Sequence, residues 1–125
     1  ATLFLLDQGE EYSDIISFHT YNGPKITQEK IEALKYYNRP IICTEYLARE
    51  NGSTFEAILP IFKANQISAI NWGFVSGKTN TIFPWISWIK KYDSMPKIWH
   101  HDIYRKDKSP FSKKEVAFIK DQLIN

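Results

Sequence analysis

Three times along this chain of 125 residues, a short apolar stretch ends in polar or aromatic residues and a turn then leads into an amphipathic stretch of helical period. The apolar stretches begin near residues 15, 41 and 67. Strands that alternate with helices at even spacing predict βα units and a parallel α/β sheet. Asp14–His19 is the first expected strand, followed by Tyr21-Asn22-Gly23-Pro24 and a helix from about Gln28 to Tyr37. Thr27 is its expected cap, Ile26 and Ile31 a hydrophobic staple, and Ile31 and Leu34 the buried stripe. Ile41–Thr44, apolar on both faces, is the second strand. Its helix is expected to start with a capping box of Ser53 and Glu56, to bury Ala57, Ile58, Ile61 and Phe62, and to be kinked or shifted by Pro60. The third strand is Ile67–Trp72, and its helix waits until Ser112, where S-K-K-E repeats the box before Val116, Ile119 and Leu123, with Phe111 and Val116 as a staple.

The spacing suits a (β/α)8 barrel of roughly 250 residues, yet three units make less than half of one. A doubly wound sheet fits the length better, although the Gly-rich turn that would hold a nucleotide is missing. The stretch from Gly73 to Phe111 carries Phe74, Phe83, Trp85, Trp88, Tyr92, Trp99 and Tyr104 and is too long and aromatic for an ordinary connection. In a barrel it would lie over the face where the strands end, the face that carries the chemistry.

Composition narrows the function classes. With 43% hydrophobic and 24% charged residues the chain reads as one globular domain, and a formal charge of +2 gives no field to draw nucleic acid or anionic lipid. No apolar run approaches the roughly 20 residues that span a bilayer. Cys43 is the single cysteine, so neither a disulfide framework nor a cysteine zinc cluster is available, and its apolar neighbours predict a buried inert thiol. Ala1–Leu6 is apolar without a basic leader or an initiator Met, which predicts a processed or truncated chain.

Glu45 directly follows the second apolar run and is expected at the carboxyl end of a buried strand. It is either an exposed acid paired with Arg49 or a functional carboxylate, and its place on the rim of a parallel sheet favours function. His19 and Tyr21 end the strand before it, and Asn71 and Trp72 end the strand after it. A carboxylate, an imidazole, a phenol, an amide and an indole on one rim suit a sugar, whose apolar ring faces meet aromatics while its hydroxyls meet polar groups. A carboxylate beside an anomeric carbon can stabilise an oxocarbenium-like state or attack it. His100, His101 and Asp102 invite a metal reading, against which neighbours on an extended segment point to opposite faces. Lys90, Lys91, Lys106, Lys108, Lys113 and Lys114 read as solvated surface.

Taken together, DIISFHTYNGP, RPIICTEYLAR, STFEAILPIFK, AINWGFVSGKTNT and WHHDIYR resemble the C-terminal part of clan A glycoside hydrolases. Within that clan they are most similar to the family 5-like cellulase and xylanase group and the related family 2 catalytic barrels. The resemblance implies an α/β fold in which residues 1–125 are a C-terminal portion of a TIM barrel, its sixth to eighth strands and their helices. It implies a retaining glycosidase acting on O-glycosidic bonds of a β-linked glycan, with Glu45 as nucleophile and His19, Tyr21, Asn71 and Trp72 binding substrate. Trp72 would stack on the sugar, often through a non-proline cis peptide. No metal or cofactor is implied, and the compartment would be extracellular or periplasmic. The resemblance departs in one respect: the family's acid/base Glu follows an Asn, and no Asn-Glu pair occurs here. Retaining hydrolysis needs two carboxylates roughly 5 to 5.5 Å apart, so the chain by itself is expected to be inactive, and its partners are a carbohydrate and the missing N-terminal half of the barrel or a second copy. The alternative is a non-catalytic carbohydrate-binding or self-associating α/β domain.

Overall fold

A computed structural model describes residues 13–124, and the apolar start Ala1–Leu6 lies outside them. The elements run β1 (Ile16–His19), α1 (Pro24–Lys35), β2 (Ile41–Tyr46), α2 (Phe55–Ala64), β3 (Ser68–Asn71) and α3 (Lys113–Ile124), with single 3₁₀ turns at Arg49–Asn51 and Trp85–Trp88. The strands form one parallel sheet in the order β1-β2-β3. The fold class is therefore α/β, as the alternation predicts.

All three helices share one core with one face of the sheet. Ile31 of α1, Phe55, Ile58 and Phe62 of α2 and Cys43 and Tyr46 of β2 are buried together, and Phe18, Ile41, Ala69, Val116 and Ile119 pack around them. The opposite sheet face has no helix among the described residues, and Ser17, His19, Ser68 and Ile70 are exposed.

The middle strand is irregular where it matters. Phe18 lies opposite Cys43, but the next residue, His19, lies opposite Glu45; on the other side Cys43 faces Ala69 and Tyr46 faces Asn71. Thus β2 carries one extra residue between Cys43 and Tyr46, a β-bulge. Side chains alternate along a strand, so regular pairing would place Glu45 on the same face as Ile41 and Cys43, in the helical core. The bulge instead gives Tyr46 that core position and turns Glu45 toward His19 on the open face.

Several helix starts differ from the sequence reading. α1 begins at Pro24, with Gly23 as N-cap and no side-chain cap, because proline already has helical φ and lacks only an N–H that would be unpaired there. Thr27 is instead buried inside the first turn, its hydroxyl 3.0 Å from Thr20 Oγ1 and donating to the Asn22 carbonyl at 3.2 Å. Ile26 is exposed, so it forms no staple, while Ile31 and Leu34 are buried as expected. The cap of α2 is Thr54, which accepts from Ala57 N at 3.2 Å, since Ser53 Oγ is taken by Leu47 N. Pro60 sits inside α2 on its exposed side without ending the helix. Ser112 caps α3 through Glu115 N at 3.2 Å, as its spacing predicts, but Leu123 is 81% exposed and leaves the core stripe.

Candidate functional site at the strand ends

The ladder continues to the strand ends, with Thr20 N donating to Glu45 O at 2.9 Å and Trp72 N to Tyr46 O at 2.8 Å. These bonds bring the residues after β1 and β3 beside Glu45. Tyr21 Oη donates to Glu45 Oε2 at 2.5 Å, and His19 Nδ1 lies 3.2 Å from the same oxygen. The other oxygen, Oε1, receives no hydrogen bond from any described residue. Burial, then the hydrogen bond and the charge of Glu45, push the Tyr21 phenol above its ordinary range, so it remains a donor. Arg49 does not pair with Glu45, because it is committed elsewhere.

The other side of Tyr21 is packed by the long stretch after β3. Its ring meets Trp85 edge to face at 5.0 Å and His101 at 5.6 Å, while Trp85 also meets His100 at 4.9 Å. That stretch is fastened over the rim. His100 N and His101 N donate to Ile82 O and Thr81 O, Arg49 N donates to His100 O, and Thr81 Oγ1 donates to Asp102 Oδ2 at 2.7 Å. The Arg49 guanidinium donates to the carbonyls of Trp99 at 2.9 Å, His101 at 2.5 Å and Asp102 at 2.9 Å. His101 Nδ1 donates to the Leu47 carbonyl, which fixes that nitrogen as the protonated one. Gly73, at φ +85°, allows the approach; a Cβ there would stand 2.6 Å from Asp102 N.

His100 and His101 were expected on opposite faces of an extended segment, and they are not. Their rings are 4.6 Å apart and both buried, because the segment is an irregular crossing that ends with Asp102 in the left-handed region at φ +54°. Burial is the first cause that lowers the pKa of each; the Arg49 charge adds to this at His100. Glu50 Oε2 is 3.4 Å from His100 Nδ1 but out of hydrogen-bonding alignment, so neither nitrogen of this buried ring has a hydrogen-bond partner among the described residues. No group of three potential metal ligands occurs among the described residues. Cys43 is buried and free, its thiol pushed up to about 11, first by desolvation.

Of the residues singled out in the sequence, His19, Tyr21 and Glu45 converge on one point. Asn71 turns its amide back onto Gly73 O at 2.6 Å and so shapes the end of β3. Trp72 stands at the adjoining strand end, 43% exposed, and makes no ring contact with the trio. Its peptide bonds, like all those described, are trans, unlike the cis bond the resemblance often implies. No second carboxylate among the described residues contacts Glu45. Trp85, His101 and Arg49 support the site and were missed as site residues; the aromatic density of 73–111 was the one sequence signal for Trp85 and His101, and Arg49 had none. Comparison with protein-family models, with curated proteins and with solved structures finds no match to this chain.

Proposed function

We propose that this chain carries the nucleophile side of a retaining β-glycosidase site, with Glu45 as nucleophile, and that its sheet is the sixth to eighth strands of a (β/α)8 barrel. The observation that carries the reading is the asymmetry of the Glu45 carboxylate. Among the described residues, Tyr21 donates to Oε2 and His19 Nδ1 lies 3.2 Å from it, while none donates to Oε1. In this reading Oε1 attacks the anomeric carbon as the glycosidic C–O bond breaks, and an acid from outside the described residues gives its proton to the departing oxygen. Water then cleaves the glycosyl ester and restores the carboxylate. Tyr21 stabilises the carboxylate and orients it, His19 offers a ring nitrogen to it or to a sugar hydroxyl, and Trp72 gives a sugar an apolar face.

A good leaving group needs no acid, so the nucleophile can be tested in the chain itself. Incubation with 2-deoxy-2-fluoro β-glycosides of dinitrophenol, in gluco, xylo, manno and galacto forms, should add one glycosyl mass that peptide mapping places on Glu45. Glu45→Gln should abolish it. No adduct with any of the four, or an adduct that survives Glu45→Gln, would overturn the assignment. A second reading, glycan binding without cleavage, is favoured by the lack of a second carboxylate at Glu45 among the described residues, and it predicts sugar binding with no adduct.

A further inference from the structure

We propose that His101 is a positioning residue for Glu45, and that it acts by holding the backbone of Leu47 in a conformation that leucine disfavours. It rests on the reading of Glu45 as nucleophile and names what keeps that carboxylate beside Tyr21. Leu47 directly follows β2 and has φ +85°, in the left-handed region where a residue with a Cβ is strained. Of the non-glycine residues with positive φ among those described, Leu47 alone is apolar, so no side-chain hydrogen bond of its own offsets the strain. It is wholly buried, and side chains from elsewhere take both of its backbone groups: its N–H donates to Ser53 Oγ at 3.3 Å, and its carbonyl accepts from His101 Nδ1. A strained residue persists only where its surroundings over-determine it, and such residues cluster at functional sites.

His101 is itself locked in place. Its carbonyl accepts from Arg49 at 2.5 Å, its N–H donates to Thr81 O at 3.1 Å, and its ring lies 5.8 Å from Trp85 and 5.6 Å from Tyr21. One imidazole therefore reaches both members of the Tyr21–Glu45 pair: the phenol by ring contact, and the carboxylate through the strand end that carries it. The bulge leaves β2 without regular pairing to β3 between Cys43 and Tyr46, so the course of the strand at Glu45 depends on what holds the residues just beyond it. Without the His101 bond, Leu47 relaxes toward negative φ and swings the end of β2, and Glu45 with it.

Two variants separate the hydrogen bond from the packing of the ring. His101→Phe keeps a ring against Tyr21 and removes the donor, whereas His101→Asn keeps a donor near the place of Nδ1 and removes the ring. The readout is the change in the Tyr21 ¹³Cζ resonance that Glu45→Gln causes at neutral pH, which reports the hydrogen bond between the two groups and needs no sugar. That change should persist in His101→Asn and shrink to about half or less in His101→Phe. Labelling of Glu45 by the fluoroglycosides should stay within about threefold of the natural rate in His101→Asn and fall about tenfold in His101→Phe, the scale of a sub-ångström misplacement. A change kept in His101→Phe, lost in both variants, or absent from the natural chain overturns the proposal. In the natural chain, ¹⁵N shifts of the imidazole should show Nδ1 protonated; protonation of Nε2 instead overturns it as well. If His101→Phe does not fold, the tautomer and His101→Asn decide, and loss of the Tyr21 change in His101→Asn overturns the proposal. Failure of the natural chain to be labelled removes the nucleophile reading alone, and the Tyr21 resonance still decides whether His101 sets the geometry of the pair.

Discussion

Arg49 grips Glu115 through two parallel hydrogen bonds, Nε to Oε1 and an Nη to Oε2, both 2.8 Å long, with the two side chains almost wholly buried. The pair joins the turn after β2 to the first turn of α3, and the remaining guanidinium donors hold the backbone of Trp99, His101 and Asp102. The ring of Phe111 lies 4.9 Å from the same guanidinium and stacks on Trp99 at 5.0 Å. One cation thus anchors the segment that packs Tyr21.

Removing one member of this pair should be severe. Glu115→Ala leaves a buried guanidinium without its charge partner and should lower the unfolding free energy by about 3–5 kcal/mol, whereas the double change Arg49→Met with Glu115→Leu should cost less than Glu115→Ala alone. Urea denaturation of the variants measures both. A loss under about 0.5 kcal/mol for Glu115→Ala would mean that the clasp does not stabilise the fold.

Acid should weaken the same region. His100 and His101 are buried with lowered pKa values, so between the ordinary value of 6.5 and the lower folded value the unfolded chain binds more protons. Their contribution is fully present above pH 6.5 and is lost as pH falls through that window, with a slope of at most about 1.4 kcal/mol per pH unit for each proton. Urea midpoints from pH 7.5 to 5 should fall, and His100→Phe should flatten the slope. An unchanged slope in His100→Phe would exclude that residue as a source.

The Tyr21 phenol reports on Glu45. Glu45→Gln removes the negative charge and weakens the hydrogen bond, so Tyr21 should ionise at a lower pH than in the natural chain, though still above an ordinary tyrosine, because burial is the larger cause. Alkaline titration of ¹³C-tyrosine resonances, with Tyr21→Phe to assign the signal, follows this. A Tyr21 titration that Glu45→Gln leaves unmoved would show that the two groups do not interact in solution.

Gly73→Ala should destabilise the chain by about 1–3 kcal/mol, since the residue has φ +85° and its new methyl would meet Asp102 N at 2.6 Å and His101 Cβ at 2.9 Å. Thermal unfolding checks the loss. Gly77, which has open space around it apart from Val75 O at 3.8 Å, is the control, and Gly77→Ala should be nearly neutral. Equal effects at the two glycines would remove the close approach as the cause.

The sequence by itself determined the βα rhythm, the parallel sheet, the cap of α3 at Ser112 and the gathering of His19, Tyr21 and Glu45 at strand ends. These follow from local periodicity and from residues near in sequence to a strand terminus, which a one-dimensional pattern records. It misplaced the caps of α1 and α2 because Thr27 and Ser53 spend their hydroxyls on Thr20, Asn22 and Leu47, partners that only the folded chain brings near. Tertiary structure alone decided the orientation of Glu45. Counted by twos from Ile41 the carboxylate belongs to the buried face, and a bulge set by pairing with both neighbouring strands turns it outward. Likewise Arg49 and Glu115 are far apart in the chain, and their pairing could not be read from charge pattern. It required α3 to pack beside the end of β2, where a guanidinium withdrawn from water needs a carboxylate and carbonyls around it.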